Sequence, residues 1–163
     1  MTAATDERPE GFKRVTQALT QLGHAHAPLW LAIAARTSQD AADALGVAVG
    51  QIAKSVIFRR RSDDRAVLVI ASGDRRVDEK KVGMVTGELG RADPAFVRAS
   101  TGFVIGGVAP LAHATAPVTL IDRDLFRFGE IWAAAGHPNG VFKLTPQDLE
   151  RYTGAPVADV VVA

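Results

Sequence analysis

Ile52-Ala53-Lys54-Ser55-Val56-Ile57-Phe58-Arg59, then Arg61-Ser62-Asp63-Asp64, then Ala66-Val67-Leu68-Val69-Ile70-Ala71 is the stretch on which the fold turns. Residues 55–59 and 66–71 are rich in Val and Ile, and the polar run between them supplies the turn of a β-hairpin. Both strands read as substantially buried. Lys54 stands at the mouth of the first, one ammonium at the entry to an apolar, β-branched run. Lysine is rarely buried without a partner. It is either a stem that snorkels its charge to water or a group held for a substrate.

Upstream, Val15, Leu19 and Leu22 recur at helical spacing and Gly23 follows, which predicts a helix over residues 9–22. Residues 29–34 form a short apolar strand candidate. Thr37 with Asp40 three residues later reads as a capping box before Ala41, Ala42 and Leu45, and Gly46 ends that second helix.

Downstream, Ser72-Gly73-Asp74 breaks the second hairpin strand, and residues 77–85 read as a helix carrying Val82 and Met84. Asp93-Pro94 starts a short helix with Asp as N-cap and Pro at its first position; Gly102 closes it within about two turns. Residues 118–121, 130–134 and 141–144 are further strands, and Thr145-Pro146 opens a last helix. Several strands follow one another through short turns, which opposes a regular βαβ winding. The expected fold is α/β in the α+β sense: a curved, mixed, largely antiparallel sheet with peripheral helices. One domain spans residues 1–163, with residues 1–10 as a leader.

The 163 residues are 47% hydrophobic and 23% charged, enough chain to build a core without disulfides or metals. There is no cysteine, which excludes thiol nucleophiles, disulfides and cysteine-based zinc sites and fits a reducing, cytoplasmic setting. The polar, acidic start does not read as a secretory signal, and no apolar run reaches membrane-spanning length. With a net charge of +1, basic residues cluster only locally, at Arg59-Arg60-Arg61, Arg75-Arg76 and Lys80-Lys81. Solvated faces account for such clusters as readily as a polyanion does.

Gly106-Gly107-Val108-Ala109-Pro110 is a shaped loop: its glycines permit positive φ and close backbone approach, and Pro110 stiffens its exit. Its N–H groups suit an anion or a carbonyl, although most glycine turns are only turns. No Walker loop and no GxGxxG motif is present. His24, His26, His113 and His137 form no closely spaced metal pair, so neither a metal nor another cofactor is expected. His24 and His26 belong to a surface turn, whereas His137 joins two strands. There is no GxSxG elbow for a serine hydrolase. A lysine at a strand mouth can orient a phosphate or carbonyl, or stabilise charge developing in acyl transfer.

Four segments in order resemble the signatures of the YbaK / prolyl-tRNA synthetase editing-domain superfamily: "TSQDAADALGVAVGQIAKSVIFRR", "VIASGDRRVDEKKVG", "TGFVIGGVAPLAH" and "AAGHPNGVFKLTPQDL". The resemblance covers about residues 37–159 and is closest to the free-standing members, which edit in trans. It implies hydrolysis of the ester between a wrongly attached amino acid and the terminal adenosine of a tRNA, most readily tRNA-Pro carrying Ala, Cys or another small residue. It assigns Lys54 the key position, binding the phosphate or sugar end of that adenosine, and aims the N–H groups of Gly106 and Gly107 at the ester carbonyl. Val108, Ala109 and Pro110 complete the GxxxP loop; Thr37, Ser38, Asp74 and His137 fall near the substrate. Arg59, Arg60, Lys80 and Lys81 are candidates for phosphates of the acceptor stem. The implied partners are a mischarged tRNA and an aminoacyl-tRNA synthetase, with neither DNA nor membrane. The competing readings are a non-catalytic tRNA- or synthetase-binding module of the same fold and a small-molecule binder. Salt sensitivity separates them, since phosphate contacts weaken steeply with added salt.

Overall fold

The computed structural model describes residues 8–163, so residues 1–7 of the expected leader lie outside it. Helix α1, Glu10–Gln21, buries Phe12, Val15 and Leu19 on one stripe; Leu22 is its C-cap and stays exposed. Strand β1, Leu29–Trp30, is far shorter than the apolar run that predicted it. After Trp30 the chain is latched as a loop instead: Leu31 N–H donates to Asn139 O at 2.6 Å and Ala35 N–H to Pro138 O at 2.9 Å.

Helix α2, Ser38–Leu45, is capped by Thr37 Oγ1, which accepts from Asp40 N–H at 3.1 Å, and ends at Gly46 in the left-handed region. A 3-10 turn, Val49–Gln51, feeds strand β2, Ile52–Arg60, which turns back into β3, Ala66–Ser72. Helix α3, Glu79–Thr86, starts two residues later than its apolar pattern, because the Asp78 carboxylate accepts from the N–H groups of Lys80 and Lys81. Then come β4, Leu89–Gly90; α4, Pro94–Thr101, capped by Asp93; and β5, Val118–Asp122. A 3-10 turn, Arg123–Arg127, leads to β6, Ile131–Ala134, and β7, Gly140–Leu144. Helix α5, Pro146–Thr153, has the reciprocal Thr145–Asp148 capping box, and β8 is Val157–Ala158.

All eight strands join one mixed sheet in the order β1-β7-β6-β2-β3-β5-β8, with β4 pairing β2 off that path. The β1–β7, β6–β7, β2–β3 and β2–β4 ladders are antiparallel; β2–β6, β3–β5 and β5–β8 are parallel. Both faces are covered. Phe12, Val15 and Leu19 of α1 pack with Leu68 and Ile70 of β3, Val97 of α4, and Phe142 and Leu144 of β7. Opposite, Val82 of α3 packs with Phe58, Val67, Val69 and Leu120. Strand β3 is therefore buried along its whole length, and each of its Val, Leu and Ile side chains removed from water contributes about 1.5–3 kcal/mol. The small β4 and β8 were not foreseen, because two-residue strands carry no readable periodicity.

Candidate active site

Strand β2 meets β6 only at Ile52 and Ala53 and β4 only at Arg59 and Arg60. Between those contacts no strand of the described residues lies beside its outer edge. The gap is a cleft of about 340 Å³, bordered by Lys54 to Ile57, by Ala133 and Ala134 of β6, by Ala92 and Val97 around α4, and by the start of α2. Because the cleft lies in the plane of the sheet, side chains from both faces of β2 reach it. Ala53 and Ile57 belong to the α1-side core, and Val56 to the α3-side core.

Lys54 is half-buried in this cleft, and its ammonium donates a hydrogen bond to the carbonyl oxygen of Arg75. Among the described residues no carboxylate comes within ion-pair distance of it. Burial holds its pKa below that of an ordinary lysine, with the negative charge of Asp74 acting in the other direction. Asp74 itself is occupied: it accepts from Arg127 Nη2 at 2.8 Å and from Arg75 Nη1 at 3.3 Å, while Arg75 Nε donates to Asp124 at 3.0 Å. The Arg127 pairing holds the Asp74 carboxyl below its usual range. Asp74 thus sits outside the cleft lining and braces the turn whose carbonyl receives Lys54.

The glycine loop forms another wall. Gly106 has φ +92° and is exposed at the cleft, and among the described residues its N–H and that of Val108 find no acceptor. Gly107 N–H is used within the loop, donating to Val104 O at 3.0 Å. Gly107 packs so closely on His137 that an added Cβ would stand 2.7 Å from its Cα. Val108 lines the cleft, while Ala109 and Pro110 are buried behind it. His113 Nε2–H donates to Ala109 O at 2.7 Å, which fixes the loop from the core side.

Thr37 and Ser38 line the cleft at the first turn of α2. His137 lies just outside the lining, its ring stacked on Trp30 at 4.9 Å, and Nδ1 accepts from Asn139 N–H at 3.0 Å. Burial lowers its pKa, and because Nδ1 accepts, the ring N–H is the one on Nε2. None of Arg59, Arg60, Lys80 and Lys81 borders the cleft. Arg59 and Arg60 pair with Asp64 and Asp63 of the hairpin turn, Lys81 with Asp159, and Lys80 is exposed. His24 is a brace, bonded to Tyr152 Oη and Lys143 O at 2.6 and 2.7 Å.

Sequence reasoning passed over Arg36, Ser55 and Trp132, all of which border the cleft. Arg36 is exposed there and has no partner among the described residues. Its position beside the Thr37 cap was the available signal. No group of three or more metal-ligating side chains occurs among the described residues. Nor is any described helix long and apolar enough to cross a membrane.

Residues 33–152 match the aminoacyl-tRNA editing domain family, and the chain belongs to that family. It is 36% identical over 122 residues to the uncharacterised protein YwhH of Bacillus subtilis, covering 74% of this chain and 77% of that one. It is also 30% identical over 109 residues to the proline–tRNA ligase of Lactobacillus helveticus, spanning 66% of this chain but only 19% of the ligase. Among solved structures, one described as "a putative trans-editing enzyme for prolyl tRNA synthetase" superposes with a TM-score of 0.89 at 38% identity. The match covers 96% of this chain and all of the other.

Proposed function

We propose that this protein is a trans-editing aminoacyl-tRNA deacylase, acting on tRNA-Pro that carries alanine, cysteine or another small amino acid. The observation that carries the reading is the Lys54 ammonium, half-buried in the cleft with a backbone carbonyl and, among the described residues, no carboxylate as its partner. A cation held so is available to an anionic or strongly dipolar ligand. The family match and the likeness to a structure described as a prolyl-tRNA synthetase trans-editing enzyme support the substrate class.

Lys54 holds the sugar–phosphate end of the terminal adenosine and so fixes the scissile ester; Arg36 at the rim adds a second cation for the backbone of the acceptor end. The N–H of Gly106, without an acceptor among the described residues, faces the ester carbonyl. A water, assisted by a ribose hydroxyl, attacks the carbonyl carbon. The tetrahedral intermediate then collapses with cleavage of the bond to the ribose oxygen, which takes up a proton. No acyl-enzyme forms, and the acceleration comes from positioning and from donors already aimed at the developing oxyanion. The volume left beside the ester sets the size limit on the amino acid, because one methylene is worth only about 1–3 kcal/mol of discrimination.

The test is a deacylation panel of alanyl-, cysteinyl-, seryl- and threonyl-tRNA with correctly charged prolyl-tRNA as control. Cleavage of at least one small mischarged amino acid with prolyl-tRNA spared is expected. Binding of tRNA without cleavage of any member would replace this reading with the non-catalytic module.

A further inference from the structure

The unpaired edge of β2 is itself a set of binding groups. In an antiparallel ladder, alternate residues direct both N–H and C=O to the partner strand, and the intervening ones direct them away. The β2–β3 register runs without a break from Ala53↔Ser72 to Arg59↔Ala66. Gly73 N–H donates to Ile52 O and Arg60 N–H donates to Arg65 O, both at 2.8 Å, so the even-numbered residues face β3. Arg61 N–H donates the other way, to Glu88 O beside β4, at 2.9 Å. Ser55 and Ile57 therefore point their N–H and C=O into the cleft, where the described structure offers no strand to receive them.

A second, independent observation lies at the same place. Ser55 Oγ is buried and has no hydrogen-bond partner among the described residues. Of the three such atoms among the described residues, on Arg14, Ser55 and Ser72, only the one on Ser55 belongs to a residue of the cleft. An orphaned buried hydroxyl is unfavourable, and a ligand bonded to it relieves that cost.

We infer that Ser55 reads the α-amino group of the substrate: the aminoacyl moiety docks along the open edge of β2 as a one-residue strand. An aminoacyl ester carries an amine donor and a carbonyl acceptor on either side of one Cα, the pattern a paired strand residue presents. The ammonium donates to the Ser55 carbonyl and Oγ, and the ester carbonyl accepts from Ser55 N–H alongside Gly106 N–H. Residues directly paired across strands share a face. The substrate side chain then lies on the Ser55 face, towards Val97 and Val108. The site so built selects esters with a free α-ammonium over blocked or α-hydroxy esters. The substrate in this inference rests on the editing reading above, but its geometry does not.

Two measurements test it. Wild-type protein is assayed with alanyl-tRNA, its N-acetylated form and the matching lactyl-tRNA, each rate divided by the spontaneous hydrolysis of the same ester. Loss of the ammonium is expected to lower that acceleration about 100-fold or more, as a site built to bond a polar group rejects an analogue lacking it. Ser55→Ala is expected to narrow the difference. Separately, the non-hydrolysable 3′-alanylamido analogue of adenosine is titrated in and the backbone amide resonances of Ser55 and Ile57 are followed; they shift with the free amine and not with its N-acetyl form. Equal acceleration of all three esters, or an analogue that leaves both resonances unmoved, overturns the inference even where deacylation is observed. Shifts without any deacylation uphold the inference and overturn the editing reading.

Discussion

The Lys54 ammonium donates to the carbonyl oxygen of Arg75, a residue 21 positions further along the chain, at the turn that leaves β3. That carbonyl is held in place by ionic contacts on the same turn. Asp74 bridges Arg75 and Arg127, and Arg75 reaches Asp124. If Lys54 acts as proposed, Arg127 is a positioning residue for a lysine that it does not touch. Arg127→Ala is expected to lower deacylation about 10–100-fold, the range for a small misplacement of a catalytic group. Arg127→Lys restores part of it. Because Arg127 is exposed, the thermal midpoint of the alanine variant stays near wild type, and a collapse of stability at unchanged activity would contradict the assignment.

The pH profile follows from the same lysine. Burial holds the Lys54 pKa below its ordinary value of 10.5, so the charged form is lost as pH rises through that lowered value. After subtraction of spontaneous ester hydrolysis and correction for the ionisation of the substrate's own α-amino group, the rate therefore declines at a lower pH than an ordinary lysine would impose. A rate constant that stays level up to pH 10.5 would show that the ammonium is not required.

How much of this site was legible beforehand differs from residue to residue. Lys54 and Gly106 stood out because a charge before a β-branched run and a glycine pair before proline are local anomalies. The caps at Thr37, Asp93 and Thr145 were equally local, and each accepts the backbone N–H three residues on. Ser55 carried no such mark. Its significance comes from β6 leaving β2 after Ala53 and β4 arriving only at Arg59, pairings between segments about 30 to 80 residues apart in the chain. Residues 31–34 failed in the opposite direction: they are apolar enough for a strand, but the bonds from Leu31 N–H to Asn139 O and from Ala35 N–H to Pro138 O hold the segment in a loop.

His113 gives a stability prediction. Burial, assisted by the charge of Arg14, lowers its pKa from 6.5, against the pull of its hydrogen bond to Ala109 O. As pH falls below 6.5 the unfolded chain takes a proton here that the folded chain resists, so the unfolded state binds more protons and stability declines. The decline spans the window from 6.5 down to the lowered folded value. Thermal melts across that window should show it, and His113→Gln should flatten it; an unchanged slope in the variant would assign the acid sensitivity elsewhere.

Gly107 is predicted to tolerate no side chain. An added Cβ would stand within 2.8 Å of the N and C atoms of His137, and backbone cannot move aside as a flexible side chain can. Gly107→Ala should cost about 1–3 kcal/mol in denaturant unfolding, as overpacking does. On the proposed mechanism it should also lower deacylation, by displacing the Gly106 N–H from the place proposed for the ester carbonyl. Full stability together with full activity would mean that the loop is not fitted to residue 137.

The central claim, that Lys54 serves the chemistry and not the fold, is tested most directly by single-turnover deacylation of a substrate identified from the panel, comparing wild type with Lys54→Ala. The expected result is a loss of at least about 100-fold, the scale for removing one preorganised charge-stabilising donor, with circular dichroism and thermal midpoint unchanged. A Lys54→Ala protein that deacylates at the wild-type rate would contradict the account.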